Sequence, residues 1–178
     1  MDNKYIDLLI NNCLNLSSGK SLFIHYSVEV EDFVKKLALR VKEMGVNDIY
    51  YDKEDIYLVH DFLKDHDIDS ISKSSFFDQG IWDEYAKRHS SFLILDTEYP
   101  GVMDDIDEEK IGLSSKMKRE SRPVYRKMVE KCELDWCIAA YPGRVWASHV
   151  FPDDVHAYDK LRDSIFKCCM LDCDNPSV

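Results

Sequence analysis

The side chains most able to do chemistry in this sequence are six histidines, six cysteines and several unevenly placed charges. The histidines are His25, His60, His66, His89, His149 and His156, and no pair of them has the HExxH spacing or another zinc-enzyme spacing. Cys169 and Cys173 lie one helical turn apart, a spacing that lets two thiols share a soft metal with a remote Cys or His. Small half-buried thiols are the commoner reading of such residues. A Cys-His nucleophilic pair has no local motif here, because such partners meet in space rather than in order. The remaining cysteines are Cys13, Cys132, Cys137 and Cys168. Adjacent Cys168 and Cys169 do not resemble a disulfide scaffold, and a chain of this size needs none to fold, so all six read as reduced thiols.

Charge offers further candidates. Asp65, Asp67 and Asp69 have the alternate spacing that opens an EF-hand calcium loop, but Ser70 stands where the turn needs Gly and Phe76 where a bidentate Glu closes the site. The run Asp104, Asp105, Asp107, Glu108, Glu109 reads as the acidic first turn of a helix, favoured by its dipole. Lys116, Lys118, Arg119, Arg122, Arg126, Lys127 and Lys131 form a basic stretch, expected to pair with carboxylates of a neighbouring helix, domain or subunit. The whole chain is acidic, 34 Asp and Glu against 23 Lys and Arg for a net charge of -11, which disfavours nucleic acid and anionic membrane as partners. No apolar run approaches the roughly 20 residues of a membrane span, and the opening MDNKYIDLL lacks a signal peptide's basic flank, so a cytoplasmic location is expected.

These residues need elements to position them, and the pattern alternates between helix and strand. Tyr5 to Leu14 carries Tyr5, Leu8, Leu9 and Cys13 at helical spacing before the break Ser17-Ser18-Gly19. Ser21 to Tyr26 reads as a strand, and Ser27 as the N-cap of a helix through Phe33, Val34, Leu37, Ala38, Val41 and Met44 that stops at Gly45. A second strand, Asp48 to Tyr51, precedes a helix through Ile56, Val59 and Leu63 with Asp52 as its expected cap. A helix at Ile81 to Arg88 leads to a third strand, Ser91 to Leu95. A helical stretch from Asp107 to Cys132, broken at Pro123, leads to a fourth, Asp135 to Ala140. A final helix spans about Val155 to Leu171.

This order predicts an α/β fold of three layers, a mostly parallel open sheet of about four or five strands with helices on both faces; it leaves the strand order open, with 2-1-3-4 as the favoured arrangement. With no repeat, low-complexity stretch or linker, residues 1–178 read as a single domain. A doubly wound sheet invites nucleotide binding, but the loop His25-Tyr26-Ser27-Val28-Glu29 has no glycine and puts acid where phosphate sits, and no GxGxxG or P-loop lysine occurs. From Trp136 to Pro152 aromatics crowd the loop after the fourth strand, where ligands or partners dock; alternatively Trp146 and Phe151 fill the core.

Lys4-Tyr5, Leu8-Leu9, Gly19, Glu31-Asp32-Phe33-Val34, Gly45 and Asp48-Ile49 mark a likeness to a known family. It is carried most specifically by Ala140-Tyr141-Pro142, Trp146-Ala147, Val150-Phe151-Pro152, Ile165-Phe166-Lys167 and Asp174-Asn175-Pro176. The chain resembles the amino-terminal part of the thermophilic-metalloprotease-type aminopeptidases. The resemblance implies a longer two-domain enzyme that removes amino-terminal residues from peptides, dimerises around an enclosed cavity, and binds two divalent ions (zinc, cobalt or similar) in a following domain. It places those ligands beyond Val178, so no residue here inherits a catalytic, cofactor or metal role. A free-standing binding module is the other reading.

Overall fold

Strand β1 (Leu22–Ser27) takes an inner place in the sheet because its first residues, Leu22, Phe23 and Ile24, present apolar side chains to both faces, and all three are fully buried. In the computed structural model, which describes residues 1–173, it pairs with β2 (Ile49–Glu54) on one side and β3 (Ser91–Asp96) on the other, and β3 pairs with β4 (Trp136–Ala140). All pairings are parallel, as the sequence predicts, and the order, which the sequence leaves open, is the favoured β2-β1-β3-β4. The two outer strands are less buried, with Trp136 and Ile138 exposed on β4. No helix is long and apolar enough to cross a membrane among the described residues.

By packing, the chain divides into two compact units. The first comprises Met1–Glu54, Ser91–Pro100 and the stretch from Asp135 on, and it holds the sheet. Its main core lies on the face carrying Leu22, Ile24 and Tyr26 of β1, Leu93 and Leu95 of β3, and Ala139. Helix α1 (Asp2–Asp7), helix α2 (Glu31–Glu43), and Phe166 from a helix near the end of the chain complete this core. Phe33 of α2 stacks on Tyr141 at 4.0 Å between centroids, and Tyr5 of α1 donates its hydroxyl to the Ala140 carbonyl at 2.8 Å. The opposite face of the sheet carries a stack of Tyr50, Phe23 and Phe92, with centroids 5.1 and 5.0 Å apart.

The first helix differs from expectation in its second half. After Asp7 the chain widens into a π-helical turn, Leu8–Cys13, closed by the Leu14 amide on the Leu9 carbonyl at 2.9 Å. Of the residues that regular spacing assigns to the buried face, Tyr5 and Leu9 are buried as expected, whereas Leu8 is half-buried and Cys13 exposed; in the wide turn Ile10 and Leu14 join Leu9 on the buried face. Ser27 caps a 3₁₀ turn, Val28–Val30, its hydroxyl accepting from the Glu29 amide at 3.3 Å, and α2 follows directly. Gly45 ends α2 at φ +84°, where an added Cβ would also lie 2.7 Å from Ser18 Oγ.

The second unit comprises Asp55–Ser90 and Gly101–Leu134. It holds α3 (Ile56–Asp65), α4 (Ile68–Lys73), α5 (Gly80–Lys87), α6 (Glu108–Glu120) and α7 (Pro123–Glu130), around a core of Val59, Leu63, Ile71, Phe77 and Ile106. The cap of α3 is Asp55, which accepts from the Tyr57 amide at 3.0 Å, and not Asp52; β2 runs on to Glu54, so the extended backbone a cap needs comes three residues later. Pro123 opens α7 at its first turn, as expected of a break, and Asp83 of α5 accepts from the Tyr125 amide there at 2.8 Å.

Two outcomes test this packing. Leu37, fully buried on α2, leaves a cavity when truncated, and Leu37→Ala is expected to cost about 2–5 kcal/mol in urea unfolding. In the second unit, His60 Nδ1 meets Asp61 at 3.0 Å and its Nε2 meets Asp105 at 2.9 Å. Hydrogen bonds to Asp61 and then Asp105 raise the imidazole above its usual 6.5, while Lys64 and then His60 lower Asp105 to about 2. The His60 contribution is therefore full below 6.5 and lost as pH rises through the elevated value, whereas that of Asp105 holds until pH falls toward 2. Amide exchange of the segment around Asp105 should quicken as pH passes from 6 to 8, beyond intrinsic base catalysis, and His60→Gln should abolish that excess.

Candidate functional site

With the order β2-β1-β3-β4, the chain leaves β1 toward one edge of the sheet and β3 toward the other, so the carboxyl ends of β1 and β3 form the switch point at which open α/β sheets bind ligands. Here that crevice is filled from within. The Glu29 carboxylate, in the turn after β1, accepts from the Arg144 amide at 2.6 Å, at the start of α8 (Arg144–Val150). The carboxylate thus occupies the position at a helix start that elsewhere receives a phosphate. Gly143 makes the approach possible: its φ is ordinary at -101°, but an added Cβ would sit 2.3 Å from Glu29 Oε2 and 2.7 Å from Thr97 Oγ1. Thr97 follows β3, and its buried hydroxyl has no hydrogen-bond partner among the described residues. Ser27 hydrogen-bonds the Tyr99 hydroxyl across the same ends.

Beside this lock lies a cleft of about 320 Å3 lined by Phe33, Tyr141 and Tyr158 and by charges of both signs. Its cations, Lys36, Arg144 and Arg162, are matched by its carboxylates, Asp2, Glu29 and Asp32, leaving no net field for an anion. Lys36 and the Tyr141 hydroxyl both reach Asp2, at 2.7 and 3.3 Å, and the Arg144 guanidinium lies 5.5 Å over the Tyr158 ring. Burial, and then the charges of Tyr158 and Asp2, raise the Tyr141 hydroxyl above the ordinary tyrosine range. It stays protonated at neutral pH and serves as a donor, not as a base. A larger groove of about 490 Å3 between α1 and α2 is lined by Asp7, Arg40 and Glu43, in which Arg40 pairs with both carboxylates.

The candidates read from sequence fall mostly into structural roles. Asp67 caps α4, accepting from the Ser70 amide at 2.8 Å, and Asp69 pairs with Lys73. Asp107 caps α6 through the Glu109 amide at 2.8 Å, with Glu108 and Glu109 in its first turn. Three members of the basic stretch pair within its own sequence: Lys116 with Glu120 and Arg126 with Glu130, four apart on a helix, and Lys131 with Glu133 just past the end of α7. Arg122 instead lies 4.2 Å over the Trp82 ring. Trp146 and Phe151 belong to helix α8 and its end, not to a loop, and pack beside Ala147, Ala157 and Leu161.

The metal-type residues do not assemble into a centre. Among the described residues no three His, Cys, Asp or Glu side chains are arranged to hold a metal ion, so the divalent ions the resemblance implies find no fitting site here. His25 approaches Asp52 at 2.8 Å and Glu54 only at 3.9 Å. Cys169 follows α9 (Ala157–Cys168) and, like Cys137, packs half-buried against the main core, whereas Cys173 is exposed. Sequence reading missed the Glu29–Arg144 lock because its partners stand 115 residues apart, and the Tyr141–Asp2 bond spans 139. Gly143 after a strand was the available signal for the first.

Three likenesses bear on this arrangement. Aminopeptidase 2 of Geobacillus stearothermophilus is 27% identical over 177 residues, covering 97% of this chain and 42% of its own length. Aminopeptidase AmpS of Bacillus subtilis (strain 168) is 22% identical over 176 residues, covering 98% of this chain and 43% of its own length. The solved structure of wild-type AmpT from Thermus thermophilus shares the fold at a TM-score of 0.82 and 20% identity, covering 93% of this chain and 42% of that one. This chain therefore spans less than half the length of these relatives. Of the stretches that carry the resemblance, Asp174-Asn175-Pro176 lies outside the described residues, whereas Ala140-Tyr141-Pro142 and Trp146-Ala147 fall at the strand-end lock and on α8. The sequence pattern of the thermophilic metalloprotease (M29) family matches residues 2–178, and the chain belongs to that family.

Proposed function

We propose that this chain is the amino-terminal, non-catalytic portion of a metal-dependent aminopeptidase that removes amino-terminal residues from peptides. The carrying observation is a mismatch: the family pattern runs through residues 2–178, yet the described residues bring no three metal-ligand side chains together. In this reading two divalent ions, zinc, cobalt or similar, are held by a following domain, where they activate a water and polarise the scissile carbonyl. The protein acts in the cytoplasm as a homodimer, and this portion frames access to the peptide site.

Within that reading the strand-end lock is structural. Glu29 accepts from the amide at the start of α8, and Tyr141 is held by Asp2 and by its stack on Phe33, so both side chains are already engaged within the fold. What this portion supplies is a firm frame whose carboxyl edge is already closed.

Supplied with cobalt or zinc, the 178-residue chain is expected to leave an amino-acid anilide intact, whereas a longer product of the same gene carrying the following domain hydrolyses it; robust turnover by the short chain would overturn the proposal. The structural role of the lock is tested separately. Gly143→Ala drives the Glu29 carboxylate off the Arg144 amide and should cost about 1–2 kcal/mol of stability, while KM of the longer enzyme for a peptide anilide stays unchanged. A raised KM without lost stability would instead make the lock part of the substrate path.

A further inference from the structure

Most of the charged side chains on the cleft beside the strand-end lock have ionic partners. Lys36 pairs with Asp2 at 2.7 Å, Asp32 with Lys35 at 3.3 Å, and Arg162 with Asp159 and Asp163 at 3.1 and 3.3 Å. Glu29 and Arg144 do not. Among the described residues no cation pairs with the half-buried Glu29 carboxylate and no carboxylate pairs with the Arg144 guanidinium. The two charges nevertheless line the same cleft, and they start from adjoining points, because the Arg144 amide is what holds Glu29 Oε2, at 2.6 Å. They are kept from each other by where each is fastened. The carboxylate is turned to the backbone, while the guanidinium stands over the Tyr158 ring, 5.5 Å from its centroid. Contact with a ring uses none of the guanidinium's N–H donors, which keep their planar fork for a carboxylate. Glu29 Oε1 likewise has no hydrogen-bond partner among the described residues.

We propose that this cleft binds a free, zwitterionic α-amino acid with an apolar side chain. Its carboxylate pairs with the Arg144 guanidinium, its ammonium with Glu29 Oε1, and its side chain lies against the rings of Phe33, Tyr141 and Tyr158.

The ligand class follows from charge and size. A simple anion at Arg144 would face the carboxylates of Glu29, Asp2 and Asp32, and a simple cation at Glu29 would face Lys36, Arg144 and Arg162. Only a ligand that carries both signs, a few atoms apart, satisfies both open groups at once. The volume of about 320 Å3 stands at the small end of ligand pockets, roughly 300–1,000 Å3, which suits one amino acid and not a nucleotide or a long peptide. Aromatic walls favour leucine or phenylalanine over a polar side chain. The site is independent of the reading of the whole protein as an aminopeptidase, since it concerns binding by this chain and no hydrolysis.

The test is a titration of the 15N-labelled 178-residue chain with L-leucine and L-phenylalanine, followed by amide chemical shifts. Saturable shifts are expected around Glu29, Arg144 and Tyr158, with a dissociation constant in the millimolar range or below. Leucinamide, which lacks the carboxylate, and N-acetylleucine, which lacks the ammonium, should each bind about tenfold more weakly or worse, as loss of one charge-assisted hydrogen bond requires. These arms use the wild-type chain and so do not depend on a variant folding. Glu29→Gln keeps an oxygen for the Arg144 amide but removes the charge; it should weaken leucine and leave N-acetylleucine unaffected. Arg144→Gln keeps the amide and removes the guanidinium; it should weaken leucine and leave leucinamide unaffected. Absence of saturable shifts with either amino acid would overturn the proposal. So would N-acetylleucine binding as tightly as leucine, which marks a plain anion site, or the dipeptide Leu-Gly binding more tightly than leucine, which marks a peptide groove.

Discussion

Everything in the sheet-bearing unit depends on β1 being an inner strand of a parallel ladder. Leu22, Phe23 and Ile24 have no exposed surface, so both faces of the strand must be covered and both edges hydrogen-bonded. Parallel pairing then dictates the connections, because each strand has to be re-entered from the same end, and the chain between strands must return along the sheet. On one face that return includes α2, whose Phe33, Val34, Leu37 and Val41 form a single buried stripe. The same requirement explains the π turn: α1 meets the core only if Leu9, Ile10 and Leu14 face it together, and a regular helix does not align them.

The switch point is where this fold ordinarily takes a ligand, and its closure follows from one carboxylate. A helix start presents unpaired amides and a partial positive charge. Glu29 answers both from the turn after β1, and Gly143 lets it do so by having no side chain. Once that place is taken, the adjacent cleft keeps equal numbers of acids and bases, its arginine stacked on Tyr158 and its tyrosine locked as a donor.

Much of this was legible in advance. The strands, the stop at Gly45 and the break at Pro123 follow from apolar periodicity and from backbone restriction at single residues, which act over a few positions. Errors gathered where a local rule met a tertiary demand. Asp52 looked like a cap until β2 continued past it, and the segment after Gly143 looked like an aromatic loop until Glu29 capped it into a helix. Cys169 and Cys173 are close in sequence, yet Cys169 packs against the main core while Cys173 is exposed.

By itself, then, the sequence determined the class of fold, the mostly parallel sheet, the acidic composition and the absence of familiar site motifs, because each is written in neighbouring residues and in composition. Only the tertiary structure decided which distant groups meet: Glu29 with Arg144, Tyr141 with Asp2, and the Tyr5 hydroxyl with the Ala140 carbonyl. The physical reason is range. Propensity and capping act within a turn or two, whereas these contacts exist only after the sheet has closed and the helices have settled on it, and no local pattern records where a chain will be brought back to itself.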